Sequence, residues 1–82
     1  MLRVMGSNPP NRIREWRLLR AKDVPAAFTA AELARRMRVT ERTYRDWEAG
    51  AHRPTRRKRA ALARHLGVTV ADLGLPEEVT GH

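Results

Sequence analysis

The sequence predicts an all-α fold of four or five short helices, and three observations carry that expectation. Apolar residues recur at three- and four-residue spacing through the middle of the chain. No segment alternates apolar and polar residues in the manner of a half-buried strand. Helix-capping and helix-stopping residues punctuate the runs, among them Thr29, Thr40, Gly50, Thr55 and Gly67. At 82 residues there is room for one core, and a chain this short buries only about 60% of the surface exposed on unfolding. Cysteine is absent, so packing alone must hold the fold, and disulfides, thiolate zinc sites and a cysteine nucleophile are excluded.

Residues 1–10, rich in Pro, Gly and Asn, and residues 76–82, from Pro76 to His82, lack periodicity and read as tails around a domain over 11–75. Asn11 is placed to cap a first helix over about 12–22, with Ile13, Trp16 and either Leu19 or Arg20 on its inner face; Pro25 halts it. Thr29-Ala30-Ala31-Glu32 is a capping box, the hydroxyl aimed at the N3 amide and Glu32 reaching back. The helix that follows carries Leu33, Ala34 and Met37 inward. Thr40 caps a third helix of about two turns, with Tyr44 and Trp47 on its inner side and Gly50 closing it. Pro54-Thr55 opens a fourth, whose Ala61, Leu62 and Leu66 stripe ends at Gly67. Thr69-Val70-Ala71-Asp72 caps a short fifth containing Leu73.

Seventeen Lys and Arg against nine Asp and Glu give a net charge of +8 and a pI near 11.6, which points to a polyanionic partner. No apolar run approaches the roughly 18 residues of a membrane span, and the N-terminus has no apolar signal region; the expectation is a soluble, cytoplasmic, nucleoid-associated protein. Position says more than total charge. Arg56, Arg57, Lys58 and Arg59, preceded by Arg53, crowd the start of the fourth helix, where cations oppose the helix dipole. An anion such as a backbone phosphate would relieve that cost; the alternative is an ordinary solvated basic face. Catalysis has little to rest on. His52, His65 and His82 are scattered without metal-ligand spacing, Ser7 is the only serine, and neither a Gly-rich phosphate loop nor an H-E-x-x-H run is present. No enzyme activity, cofactor or metal is expected.

Two short helices joined by a three-residue turn are the helix-turn-helix layout. The text T-A-A-E-L-A-R-R-M-R-V-T-E-R-T-Y-R-D-W-E-A-G from Thr29 to Gly50, then R-P-T, then A-L-A-R-H-L-G-V-T-V-A-D-L, resembles the Cro/repressor-type (XRE-like) helix-turn-helix family. The W-E-x-G-x-x-x-P run and the later L-G-V-T are its most specific parts. The opening N-R-I-R-E-W-R is similar to that family's first helix, so the resemblance covers about 11–75. It implies a compact repressor-like domain, with the helix-turn-helix at about 30–49 and the third helix placed in a DNA major groove.

Carried over by position, the resemblance implies that Glu41, Arg42, Arg45 and Asp46 read bases, Arg gripping guanine and the acids accepting from cytosine or orienting the arginines. The competing reading is a solvated charged face with an i,i+4 pair between Glu41 and Arg45. Phosphate contacts fall to the backbone at Thr29 and Ala30, to Thr43, and to Arg53, Arg56 and Arg57. Arg17 and Glu48 match a buried ion pair between the first and third helices. The sequence also departs from the pattern. Ala30 stands where a Gln is common, Ala49 where an Asn is common, Arg38 where a left-handed turn usually has Gly, and Tyr44 where a branched aliphatic is usual. Its ring either packs in the core or carries the hydroxyl towards a phosphate. The link from Ala21 to Phe28 is longer than usual, and its Val24 and Phe28 either pack or form a partner surface.

The function this implies is a sequence-specific double-stranded DNA-binding transcriptional regulator, a prokaryotic or phage-type repressor-like protein binding as a homodimer. Val70, Leu73, Leu75 and Val79 are candidates for a dimer patch or for core. Two alternatives remain open: an antitoxin-like or coactivator-like module that holds a protein partner, favoured by Ala30 and Ala49, and a non-specific nucleic-acid binder.

Overall fold

The structure, a computed structural model, describes residues 10–75. Val79 and both expected tails, Pro10 apart, lie outside those residues. Helices α1 (Ile13–Ala21), α2 (Ala30–Met37), α3 (Glu41–Ala49) and α4 (Arg56–Leu66) follow one another, with 3₁₀ turns at Pro25–Ala27 and Ala71–Leu73. The fold is all-α. The expected fifth helix is the second of these single turns, stopped at Gly74 in the left-handed region.

Helices α2, α3 and α4 begin at threonine N-caps, whereas the N-cap of α1 is Arg12, which makes no side-chain cap bond, rather than the expected Asn11 one residue earlier. Asn11 Oδ1 accepts from the Ile13 amide at 3.0 Å. Thr29, Thr40 and Thr55 accept through their hydroxyls from the amides of Glu32, Thr43 and Lys58. The capping box at α2 is half of what the sequence suggests: the Glu32 carboxylate accepts from Arg35 and Arg36 instead of reaching back to Thr29. Two basic residues one turn on outcompete a single backbone amide. The reciprocal box does form at Thr69, whose amide donates to Asp72 Oδ2 at 3.0 Å while Asp72 N donates to Thr69 Oγ1 at 3.1 Å. The bond from the Thr69 amide first, and the nearby Thr69 hydroxyl second, hold the Asp72 carboxyl below the usual carboxylate range.

Helices α2, α3 and α4 end at the left-handed residues Arg38, Gly50 and Gly67, whereas α1 ends at Lys22 in the right-handed region. Gly50, at φ 79°, is required twice over, because a Cβ there would also lie 2.6 Å from Pro10 Cβ.

The core draws one or more side chains from every helix. Ile13, Leu33, Tyr44, Leu62, Leu66 and Leu73 are buried, with Ala30, Ala34, Met37, Trp47 and Ala63 filling between them. Each large apolar side chain so buried contributes about 1.5–3 kcal/mol. The Tyr44 and Trp47 rings meet edge to face at 6.0 Å and 66°. Tyr44 is wholly buried, so its ring packs and its hydroxyl does not reach out to a phosphate. Leu73 is also core, which removes it from any dimer patch; Leu75 packs partly against the core, while Val70 is exposed.

Helix α1 acts as a brace across the other elements. Asn11 Nδ2 donates to the Trp47 carbonyl at 2.8 Å and Trp16 Nε1 to the Asp72 carbonyl at 2.8 Å. Arg20, rather than Leu19, takes the inner position. Its Nε donates to the Leu66 carbonyl at 2.8 Å, capping the C-terminus of α4. Trp16 lies between the guanidinium groups of Arg12 and Arg20 at 5.1 and 5.7 Å. The link after α1 divides: Phe28 packs on the core and Val24 stays exposed. Among the described residues no helix is long and apolar enough to cross a membrane.

Candidate nucleic-acid interface

Between α2 and α3 the chain reverses over Arg38, Val39 and Thr40. Arg38 takes the left-handed conformation, φ 61° and ψ 43°, and is the one non-glycine residue with positive φ among those described. That conformation lets the Arg38 and Val39 amides donate to the carbonyls of Arg35 and Ala34, closing the end of α2. Val39 packs on the core. Small Ala34, on the inner side of α2, permits a close approach of α3, and Tyr44 and Trp47 fill the angle between the two helices.

Burying Tyr44 and Trp47 dictates which side of α3 faces solvent. Glu41, Arg42 and Arg45 are exposed there; Thr43 and Asp46 are half-buried. Arg45 Nε donates to Glu41 Oε2 at 2.8 Å, one turn away. The i,i+4 pair weighed as an alternative is therefore present in the free protein. Arg42 takes part in none of the ion pairs among the described residues. The Asp46 carbonyl accepts from the amides of Ala51 and His52, and its carboxylate sits 3.8 Å from His52 Nε2. Thr43 accepts a hydrogen bond from Thr40 Oγ1 at 3.0 Å, so its hydroxyl is part of the α3 cap. At the start of α2 Ala30 is buried, beside exposed Thr29.

The loop after α3 carries exposed Arg53, and α4 then opens with Arg56 and Arg57 exposed and Lys58 and Arg59 half-buried, with no acid in its first turn. Arg56, Arg57, Lys58 and Arg59 take part in none of the ion pairs among the described residues. Arg12 is answered by Glu15, Arg35 and Arg36 by Glu32, and Arg45 by Glu41, whereas Arg14, Arg20, Lys22, Arg38 and Arg64 also join none of the ion pairs among the described residues. What sets residues 56–59 apart is that four cations follow one another at the head of α4 with no acid in its first turn, while Arg42 is exposed on α3.

The family model for a helix-turn-helix domain matches residues 11–75, the stretch in which these features lie. The chain belongs to the helix-turn-helix domain family. No curated protein and no solved structure matches it.

In this helix-turn-helix domain the mutual placement of α1 and α3 rests on a charged pair. Arg17 Nε donates to Glu48 Oε2 at 2.6 Å and Nη2 to Oε1 at 3.2 Å, a two-point contact between side chains only 12% and 10% exposed. The hydrogen bond to Glu48 holds the Arg17 guanidinium above its ordinary range. Arg17 Nη1 also donates to the Phe28 carbonyl at 3.4 Å, which ties down the long link. Burial first, and the neighbouring Glu48 carboxylate second, push the Tyr44 phenol far above its usual value, so it stays neutral. Arg17 and Glu48 thus orient α3 from behind.

Proposed function

We propose that this helix-turn-helix domain is a sequence-specific double-stranded DNA-binding transcriptional regulator, placing α3 in a major groove and acting as a homodimer. The observation that carries the reading is the run of four consecutive cations, residues 56–59, at the open end of α4, in none of the ion pairs among the described residues, with Arg42, likewise in none of them, exposed on the solvent side of α3. In an isolated protein such an arrangement opposes the α4 dipole. A duplex supplies what is missing, phosphates for the α4 group and a guanine edge for Arg42. Glu41, Arg45 and Asp46 flank Arg42. Once Arg45 turns to a base, Glu41 is released to accept from cytosine N4 or to hold the arginine in place. Thr29, the Ala30 amide, Thr43, Arg53, Arg56 and Arg57 are assigned to the phosphate backbone, and the protein works in the cytoplasm at the nucleoid.

A module that holds a protein partner is the second reading, favoured by the buried Ala30 and the exposed apolar Ala49, which give α2 and the end of α3 fewer polar contacts to offer. Titration of selected and random duplexes by Arg42→Ala and Arg56→Ala variants separates the two. Arg42→Ala is expected to cost about 1–3 kcal/mol on the selected duplex and to relax preference at one base pair. Arg56→Ala is expected to weaken all duplexes alike and to lower the salt slope by about one. Equal effects of both variants on selected and random DNA would overturn the division of roles, and no duplex binding by the parent chain would leave the protein-partner reading.

A further inference from the structure

The outer side of α1 carries an apolar surface that the fold leaves uncovered. Leu18 and Leu19 are 47% and 43% exposed, and with Arg12, Glu15, Trp16 and Lys22 they line an open groove. Glu15, Leu18, Leu19 and Lys22 follow the i, i+3, i+4, i+7 spacing of a single helical stripe, on the side of α1 away from core-facing Ile13 and Arg17. This stripe has a symmetry of its own. Its spacing is the same read in either direction from the midpoint between Leu18 and Leu19, while its two ends carry opposite charge.

That combination fits one occupant. A two-fold axis through the midpoint, perpendicular to α1, lays a second copy of the helix antiparallel across the first. Leu18 then faces Leu19 of the second copy, and Glu15 faces Lys22 of the second copy; each contact occurs twice. A parallel arrangement would instead put Glu15 against Glu15 and Lys22 against Lys22. Glu15 is held by Arg12 at 2.7 Å within the chain, but both side chains are more than half exposed, and such surface pairs exchange partners at little cost. We propose that the outer side of α1 is an isologous, antiparallel interface between two copies of this chain. It supplies the dimer surface of the function proposed above, yet it stands on α1 alone. Nine residues of helix offer less than the area of a standard stable interface, so the solution dimer is weak and suited to assembly on a two-fold site.

Sedimentation equilibrium of the full chain, without DNA, from about 10 μM to about 1 mM tests this. The expected result is a reversible monomer–dimer equilibrium that Leu18→Glu weakens by about tenfold or more. Glu15→Lys and Lys22→Glu should each weaken it alone, and an equimolar mixture of the two should associate about as well as the parent, because the mixed pair restores opposite charges at both ends. Circular dichroism confirms that each variant is folded, as exposed positions permit. A monomer at every concentration, a dimer indifferent to Leu18→Glu, or a mixture no tighter than its components would overturn the interface. Since no DNA is present, these outcomes are independent of whether α3 reads bases.

Discussion

Arg38 holds a left-handed backbone, φ 61° and ψ 43°, at the turn between α2 and α3. A Cβ is disfavoured there by about 1 kcal/mol or somewhat more, and the residue is tolerated because the turn also closes two hydrogen bonds at the end of α2. Arg38→Gly is therefore expected to raise stability by about 0.5–1 kcal/mol, offset slightly by the greater freedom of glycine in the unfolded chain. Urea unfolding measures it; a loss of stability would mean that the Arg38 side chain contributes a contact worth more than the strain. This residue was legible in the sequence through the resemblance, which implies a left-handed turn at the position Arg38 occupies. Others were not. The partners of Glu32 depended on which of three nearby donors prevailed, and the alternatives for Tyr44 were separated only by its burial, which follows from the depth of the groove between α2 and α3.

Among the helices, α1 determines how rigidly α3 is presented. Its ties run to the α3 carbonyl at Trp47, to Glu48, to the end of α4 at Leu66 and to the 3₁₀ turn at Asp72. The Arg17–Glu48 pair is the most buried charged contact among these, so removing one partner leaves a desolvated charge. Arg17→Ala or Glu48→Ala is expected to cost about 3–5 kcal/mol of stability, whereas the double change Arg17→Met with Glu48→Leu recovers most of it. Thermal or urea unfolding of the three variants checks this, and a double variant no better than the singles would contradict it. Helix starts were legible because Thr29, Thr40 and Thr55 act over one turn. The long-range ties of Asn11, Trp16 and Arg20 were not, since each donates to a backbone carbonyl and any residue type supplies one. The fifth helix shortened to a 3₁₀ turn because Gly74 follows its cap too closely for a full α-turn to form.

At the scale of the whole molecule, a chain of net charge +8 places its cations unevenly. Among the described residues Arg12, Arg17, Arg35, Arg36 and Arg45 pair with glutamates, while Arg14, Arg20, Lys22, Arg38, Arg42 and Arg64 join no ion pair, and the contiguous run of unpaired cations, 56–59, lies at the head of α4. The spatial pattern was half legible: the α4 cluster is contiguous in sequence, but which arginine of α3 lacks a partner required the side chains in place. The central claim is that this surface recognises a particular DNA sequence. Selection of bound duplexes from a random-sequence pool at about physiological salt, with single-stranded RNA as competitor, addresses it directly. Enrichment of a motif, with inverted half-sites centred about 10 base pairs apart, is the predicted result. Retention of the pool without enrichment, or no retention at all, would contradict it.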